Sequence, residues 1–398
     1  MPNNKNQHFV PQFFLKNFSA DKKSISMFLK DNAMVYSNVS IRNQCSKSYF
    51  YPDQEYEKAL SRFEGKCRLA IGKVVVGQYK SLVQKDFFLL KSFLLLQKTR
   101  TQHEARIVRD GMEQVRQYLY SIGMVDSLKK QIDAFENTEK NVVELLTYNF
   151  KTSLDITVDL KCKILVYEGV GSFVTSDDPV IQYNPLLESH KIANYGLGAI
   201  GLLLFLPISP TCAIVIYDEA YYKIGNRKEL IVRISNPKDL HWINLLTVLH
   251  ADKAVYFLPG SHTNYDIVAL VNQAKGIDQG EEMKITPYVA EDGKFELIHS
   301  YSNNYTIGAS FSFLRILDKA RGLHFGSSIG VADYSRPYCL QWSRKNNHGP
   351  STPSMTFQRK KDRYYRRLGI RQFSTSRNNT VIHSKEVLPK ALIVSSPY

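Results

Sequence analysis

The sequence predicts an α+β protein in which a helical N-terminal half packs on a mostly antiparallel sheet. Residues 52–150 repeat apolar side chains every three or four positions, which is the period of a helix. Residues 159–260 instead carry short apolar or alternating runs separated by turn residues, which is typical of strands. The chain has 398 residues, 43% of them hydrophobic, so it can bury a large core. We therefore predict one globular domain over residues 1–335, in which 261–335 has the weakest pattern.

The first predicted element is a short helix in the apolar N-terminal segment QHFVPQFFLKNFS, residues 7–19. Pro11 suits its first position, and Phe14, Leu15 and Phe18 recur on one face. A helix anchored in a core would hold the neighbouring His8 rigidly and partly buried, where an imidazole pKa responds to nearby groups. His8 is therefore a candidate general acid or base. The alternative is a histidine that only hydrogen-bonds a loop carbonyl.

The next stretch predicts a β-hairpin at 24–29 and 34–39 and then a helix over 52–79. Glu64 lies at the edge of the apolar face of this helix. Burial of an unpaired carboxylate there would cost several kcal/mol. Glu64 is therefore expected to be paired, hydrogen-bonded or bound to a metal ion.

A second helix, predicted over 82–119, begins with the apolar runs FFLL and FLLL and should be buried on nearly all sides. Gln97, Arg100, Thr101 and Glu104 follow at positions i, i+3, i+4 and i+7, so they are expected to share one face. The planar guanidinium of Arg100 can bind a phosphate or carboxylate through two hydrogen bonds. The alternative is a solvated face where the helix leaves the core. A third, more polar helix is predicted over 126–150.

The second half predicts strands and one covering helix. Strands are predicted at 161–167, 171–174, 180–183, 202–206, 212–217, 254–258 and 294–298, and helices at 235–250 and 311–321. Asp177 and Asp178 lie in a turn at a strand end, a common position for functional carboxylates. The alternative is a turn in which these side chains bond nearby backbone amides. Asn244 lies beside the apolar stripe of the covering helix and is a candidate for orienting substrate.

The net charge of +15 is concentrated near the C-terminus, because residues 341–398 hold 12 Lys and Arg but two Asp and Glu. We predict that this tail is disordered, or folds only on binding. Its Arg363, Arg366 and Arg367, interleaved with tyrosines, suit contacts with the phosphates of a nucleic acid or nucleotide. A tail without function is the alternative.

Several classes of protein lose support from the sequence. Five scattered cysteines form no metal-binding pattern and are expected to be reduced, as in a cytoplasmic protein. No apolar stretch suits a membrane-spanning helix and no secretory signal is apparent, so no membrane association is expected. P-loop and HExxH motifs do not occur.

The N-terminal segment QHFVPQFFLKNFS resembles the opening signature of the DUF4238 family, which occurs mostly in bacterial proteins. Further stretches resemble the same family over residues 7–260: Phe63-Glu64, LQKTRT at 96–101, FVTSDDPV at 173–180 and FLPISP at 205–210. The family has no established activity. The resemblance implies a bacterial setting, in which defence against foreign nucleic acid is one role to consider.

Two functions are consistent with these residues. In the first, a metal-assisted hydrolase of a phosphodiester or nucleotide, Glu64 with Asp177 and Asp178 holds Mg²⁺ or Mn²⁺. The catalytic set is then His8, Glu64, Arg100 and Asp177, while Gln97 and Asn244 orient the substrate. In the second, the protein is a non-catalytic nucleic-acid-binding module, in which Glu64, Arg100 and Asp177 form a buried structural ion-pair network.

Overall fold

The computed structural model describes residues 6–48, 50–51, 54–121, 139–189, 196–277, 284–289, 295–300, 306–323 and 335–340. Within these ranges it confirms the α+β class. The helices are α1 (Gln12–Leu15), α2 (Gln54–Val75), α3 (Gln84–Lys98), α4 (Gln102–Ser121), α5 (Glu139–Ile156), α6 (Pro185–Ser189), α7 (Pro237–His250), α8 (Asn264–Lys275) and α9 (Asp318–Arg321). The strands are β1 (Asn6–His8), β2 (Ser24–Leu29), β3 (Met34–Ser40), β4 (Ser46–Ser48), β5 (Lys161–Tyr167), β6 (Thr175–Ser176), β7 (Ile181–Tyr183), β8 (Leu203–Pro207), β9 (Cys212–Tyr217), β10 (Tyr222–Ile224), β11 (Ile231–Ile234), β12 (Ala254–Phe257), β13 (Lys284–Val289), β14 (Phe295–Ser300) and β15 (Leu314–Ile316).

Two sheets form the centre, where the sequence predicted one. The larger has the strand order β11-β5-β9-β8-β7, and only the β11-β5 pair in it is parallel. The smaller has the order β3-β2-β12-β6 and is antiparallel throughout. The predicted hairpin is its β2-β3 pair. Because β6 and β12 are neighbours in this sheet, the turn after β6 lies beside the residues that precede β12.

Both faces of the central strands are buried. Along β8, Leu203 and Phe205 belong to one core, which α7 and α8 cover. Leu204 and Leu206 belong to a second core, which α1, α2, α3 and α5 cover. Strands buried on both faces read as continuous apolar runs. This explains why 202–206 shows no polar alternation in the sequence.

The N-terminal segment is part of the second core, as its apolar composition predicts. Pro11 directly precedes α1, and Phe14, Leu15 and Phe18 are fully buried. The ring of Phe14 lies 5.9 Å from that of Phe93 on α3. The segment thus joins the core from the first turn of α1 onward.

The helix predicted over 82–119 is in fact two helices, α3 and α4, with a break at residues 99–101. The hydroxyl of Thr99 lies 3.3 Å from the carbonyl oxygens of Leu95 and Leu96, and that of Thr101 accepts from the amide of Glu104 at 3.2 Å. Threonine hydroxyls that bond the backbone compete with continued helix and favour a new N-terminus. The prediction that Gln97, Arg100, Thr101 and Glu104 share one helical face was therefore wrong.

Three further differences concern the sheet-rich half. Residues 171–174 form no strand, because the side chain of Asn244 takes up backbone groups of this segment. The helix predicted over 311–321 begins only at Asp318, and Phe311 packs its ring 5.4 Å from that of Phe205. Helix α8 lies within residues 261–335, where the pattern was weakest and no helix was predicted at these positions.

Part of the prediction lies outside the described residues. The polar helix predicted over 126–150 is described only from Glu139, where α5 begins, and residues 341–398 are not described. The domain boundary at 335 stays a prediction. In the described part of the chain, no helix is long and apolar enough to cross a membrane.

Candidate functional site

The break between α3 and α4 sends neighbouring polar side chains to two different clusters. Gln97 and Arg100 face Glu64 of α2, while Lys98, His103 and Glu104 face the turn after β6. We call the first group the arginine cluster. Its members are Gln97, Arg100 and Glu64, together with Gln7, His8 and Tyr51. We call the second group the aspartate cluster. Its members are Lys98, His103 and Glu104, together with Arg106, Asp177, Asp178 and Asp252.

Arg100 is the centre of the arginine cluster and is only 4% exposed. Its Nη1 donates to Glu64 Oε1 at 2.5 Å. With the amide oxygen of Gln97 turned toward the guanidinium, that oxygen accepts from Nε at 2.5 Å and from Nη2 at 3.0 Å. The guanidinium is thus held by two partners inside the protein. Of the predicted network of Glu64, Arg100 and Asp177, the pair Glu64–Arg100 is formed, whereas Asp177 bonds backbone amides elsewhere.

His8 belongs to the same cluster. Its Nε2 lies 3.0 Å from the carbonyl oxygen of Arg42, which is the loop-carbonyl contact weighed above as the alternative. Burial lowers the pKa of His8, and this outweighs the bond to Arg42 and the charge of Glu64, which both raise it. A buried glutamine fixes the strand that carries His8, because Gln7 accepts from the amide of Tyr51 at 2.6 Å and donates to Glu57 at 3.1 Å.

Asp177 is held by backbone amides. Its Oδ1 accepts from the amide of Asp252 at 3.0 Å and its Oδ2 from that of Lys253 at 2.8 Å. Burial still raises its pKa to about 6, and the charge of Asp252 adds to this rise. Asp177 therefore matches the alternative in which its side chain bonds backbone amides. The amides belong to the segment before β12 and not to the same turn.

Asp178 has a different environment from its neighbour. It is 4% exposed, and its Oδ1 has no hydrogen-bond partner in the protein. Burial raises the pKa of Asp178 to about 7, and the carboxylate charges of Glu104 and Asp177 add to the rise. The positive charges of Lys98 and His103 act in the opposite direction. Near neutral pH, both protonation states of this carboxyl are therefore populated.

The cationic side of the aspartate cluster is partly open to solvent. Lys98 forms an ion pair with Glu104, and their side chains are 23% and 18% exposed. Arg106 donates to both carboxylate oxygens of Asp252, at 2.8 and 3.2 Å. Asp252, Asp178 and Glu104 raise the pKa of His103, although burial alone would lower it.

Strand β6 and the turn after it carry an unusual number of unpartnered polar atoms. Among the described residues, four buried side-chain oxygens make no hydrogen bond, and three of them lie between positions 175 and 178: Thr175 Oγ1, Ser176 Oγ and Asp178 Oδ1. Buried polar groups are nearly always bonded, so unpartnered ones in a native fold need an explanation such as a bound ligand or water. This stretch lies in the FVTSDDPV segment that also carries the family resemblance.

A family model described as "Protein of unknown function (DUF4238)" matches residues 6–261, which is well over half of the chain. The chain belongs to the DUF4238 family. No curated protein and no solved structure matched the sequence. Both clusters lie within the residues that the DUF4238 model covers.

The predicted metal ligands of this DUF4238 protein are not brought together as a set. Glu64 pairs with Arg100 in one cluster, whereas Asp177 and Asp178 lie in the other. Across the residues that the structure describes, no group of three or more His, Cys, Asp or Glu is arranged to hold a metal ion. Within the described residues, Glu64, Asp177 and Asp178 therefore do not form the predicted Mg²⁺ or Mn²⁺ site.

The remaining predicted site residues fall elsewhere. Asn244 is 4% exposed, accepts from the amide of Val174 at 3.0 Å and donates to the carbonyl of Ser172 at 2.9 Å, so its amide holds the backbone. Arg363, Arg366 and Arg367 lie outside the described residues. Of the four predicted catalytic residues, His8, Glu64 and Arg100 lie in the arginine cluster and Asp177 in the aspartate cluster.

The sequence reading of this DUF4238 chain missed Lys98, His103, Arg106 and Asp252. The stretch 98–106 does carry a signal, since five of its nine residues are Lys, Arg, His or Glu directly after a buried apolar helix. Treating 82–119 as one continuous helix placed Glu104 on the same face as Gln97 and Arg100, whereas the break between α3 and α4 separates it from them. Asp252 could be found only through the pairing of β6 with β12, which local pattern does not show.

Proposed function

We propose that this DUF4238 protein is a hydrolase of a phosphodiester or nucleotide whose catalytic group is Asp178. The observation that carries the proposal is the buried carboxyl of Asp178, with one unpartnered oxygen and a pKa of about 7. The carboxyl also lies beside cationic side chains that are partly exposed to solvent. A buried carboxyl whose pKa is shifted close to the pH at which an enzyme works is typical of general acid–base sites.

The chemistry follows from the neighbours of Asp178. Ionised Asp178 takes a proton from a water molecule as the water oxygen attacks phosphorus. The ester P–O bond breaks, and protonated His103 donates a proton to the leaving oxygen. Lys98 and Arg106 supply positive charge for the phosphoryl oxygens as negative charge builds up in the transition state. A rising rate up to about pH 7 and a fall above the raised pKa of His103 are expected.

The test is a hydrolysis screen with bis(4-nitrophenyl) phosphate, nucleoside mono-, di- and triphosphates, and single- and double-stranded oligonucleotides, with and without Mg²⁺ or Mn²⁺. Asp178→Asn should lower the rate by about 100-fold or more, in the range of general acid–base contributions. His103→Gln should remove the alkaline limb of the pH profile. Asp31→Asn, in the exposed turn of the β2-β3 hairpin, is the matched control. Equal rates in the Asp178→Asn and wild-type preparations would contradict the proposal.

A second candidate is the non-catalytic nucleic-acid-binding module, and the arginine cluster favours it. Arg100 is buried and bonded to Glu64 and Gln97, so it stabilises the contact of α2 with α3 and is not free to bind substrate. Absence of hydrolysis in the wild type under every condition, with binding of a labelled oligonucleotide that weakens as salt rises, would support this function. Deletion of 341–398 tests whether the basic tail provides that binding.

A further inference from the structure

Helix α2 has an outer face that no described part of the protein covers. Leu69 is 72% exposed, although it lies on a 22-residue helix whose other side is in the second core. Val76, 65% exposed, directly follows the last residue of α2, and its amide donates to the carbonyl of Gly72 at 3.1 Å. At 100° per residue, Gly65, Leu69, Gly72 and Val76 form one narrow strip along this outer face. Large aliphatic side chains that line up in the open commonly mark an interaction surface.

The two glycines in the strip are not required by the fold. A Cβ atom added to Gly65 or Gly72 would meet nothing within 4 Å, so neither glycine makes room for another described part of this chain. Glycine inside an exposed helix weakens it relative to alanine. Glycines on either side of an exposed leucine do, however, let the backbone of a second helix approach closely. The strip therefore has the form of one half of a helix-helix contact.

The charge around the strip has one sign. Among residues 62–85, the exposed charged side chains are all cations: Arg62, Lys66, Arg68, Lys80 and Lys85. The acidic side chains described nearby are occupied within the protein. Glu57 accepts from Gln7, Glu64 pairs with Arg100, and the buried Asp86 pairs with Lys73. An apolar centre within a rim of cations is complementary to an apolar strip within a rim of carboxylates.

We propose that the outer face of α2 binds an acidic amphipathic helix of a partner protein. The partner's apolar residues pack against Leu69 and Val76, its backbone lies over Gly65 and Gly72, and its Asp and Glu side chains face the cations. Beyond Val76 the strip leads to an open depression of about 530 Å³, lined by residues that include Tyr79, Lys80, Ile231 and Arg233. This depression can receive a side chain at the end of the partner helix.

Other ligands use only part of this surface. Phosphates of a nucleic acid would pair with the cations, but would leave Leu69 and Val76 without a role. An anionic membrane would attract the cations, but it has no backbone whose close approach would use Gly65 and Gly72. A second copy of the same face would bring like charges together. The acidic helix is the ligand that uses the apolar residues, the glycines and the cations together.

The test is fluorescence anisotropy of the full-length protein with a labelled peptide of about 20 residues, which matches α2 in length. The peptide carries leucine at helical i, i+3, i+4 and i+7 spacing and glutamate on the flanking positions. We expect saturable binding that weakens at least tenfold when lysine replaces the glutamates or serine replaces the leucines. Leu69→Glu with Val76→Glu should cause a similar loss.

Gly65→Gln with Gly72→Gln separates docking from folding. Glutamine is the better helix former, so this variant should melt at or above the wild-type temperature while binding the peptide at least tenfold more weakly. Val170→Glu, at a 96% exposed position elsewhere, and Arg227→Glu with Lys228→Glu are the matched controls and should bind like the wild type. No saturation by the peptide, or equal binding by the α2 variants, would overturn the proposal. So would duplex DNA or phosphatidylserine vesicles binding this face while the peptide does not.

Discussion

Asp178 is expected to reduce the stability of the fold at the pH where it would act. Its pKa is raised from an ordinary 3.8 to about 7, chiefly by burial. The neutral carboxyl therefore favours the folded state at low pH, and this contribution is lost as the pH rises from about 4 to about 7. Asp178→Asn cannot ionise, so at pH 8 it should raise the free energy of unfolding by up to about 4 kcal/mol, at about 1.4 kcal/mol for each pKa unit. At pH 4 the two proteins should be nearly equal.

Urea denaturation of the wild type, Asp178→Asn and the exposed Asp31→Asn at pH 4 and pH 8 measures this difference. If Asp178→Asn is more stable than the wild type but has lost hydrolysis, the burial of Asp178 supports activity at the expense of stability. A variant less stable than wild type at pH 8 would show that Lys98 and His103 stabilise the ionised carboxylate more than burial destabilises it.

Arg100 gives the opposite expectation. Its guanidinium is buried between Glu64 and Gln97, and lysine keeps the charge but not the planar set of donors. Arg100→Lys should therefore lower the free energy of unfolding by about 3–5 kcal/mol, the usual cost of breaking a buried pair. Arg106→Lys is the control, because its side chain is 37% exposed and its pair with Asp252 should contribute about 1 kcal/mol or less. If Arg100→Lys lowered the free energy of unfolding no more than Arg106→Lys does, the structural role of Arg100 would be contradicted. Arg100 would then again be a candidate for ligand binding.

At the scale of the elements, Asn244 replaces a strand that the sequence predicted. Its amide joins α7 to the backbone of Ser172 and Val174 in place of a neighbouring strand. Asn244→Ala leaves the buried amide of Val174 without its acceptor, so it should cost about 1–3 kcal/mol. The carbonyl of Ser172 keeps its contact with His262 at 3.1 Å. Faster hydrogen exchange at the Val174 amide should accompany the loss. Asn272→Ala, at an exposed position of α8, should be neutral or slightly stabilising; equal effects of the two changes would contradict the role of Asn244.

The elements also show how far sequence reasoning extends. The β2-β3 hairpin, α2, β5, β8, β9 and α7 follow from apolar period and turn residues, because each is determined locally. The break at residues 99–101 depends on threonine hydroxyls that bond the backbone. The spacing of apolar residues along the sequence does not reveal such a break. The contacts of Asp177 with residues 252 and 253 depend on the pairing of β6 with β12 across the chain. Local pattern therefore located the candidate residues but could not sort them into two clusters.

At the scale of the whole molecule, the chain beyond the DUF4238 match returns to the part inside it. Arg336 is 1% exposed and donates to Asp159 at 2.9 Å and to the backbone carbonyls of Ile156, Leu197 and Ala199 at 2.6–3.1 Å. Residue 335 adds a bridge to Ala199. All three nitrogens of the Arg336 guanidinium donate to residues inside the DUF4238 match. Residues 335–340 therefore belong to the globular part.

Two truncations test this assignment. Deletion of 341–398 should leave a single cooperative melt near the wild-type temperature, because this basic segment has little apolar content with which to join a core. Deletion of 334–398 should lower the melting temperature strongly, since it also removes Arg336 and leaves the Asp159 carboxylate and three carbonyls without their donor. Arg336→Ala in the full chain should reproduce most of that loss, about 3–5 kcal/mol by analogy with other buried pairs. If the shorter deletion already abolished the cooperative melt, the tail would be part of the fold. If Arg336→Ala melted like the wild type, the buried guanidinium would not be what holds residues 335–340 to the globular part.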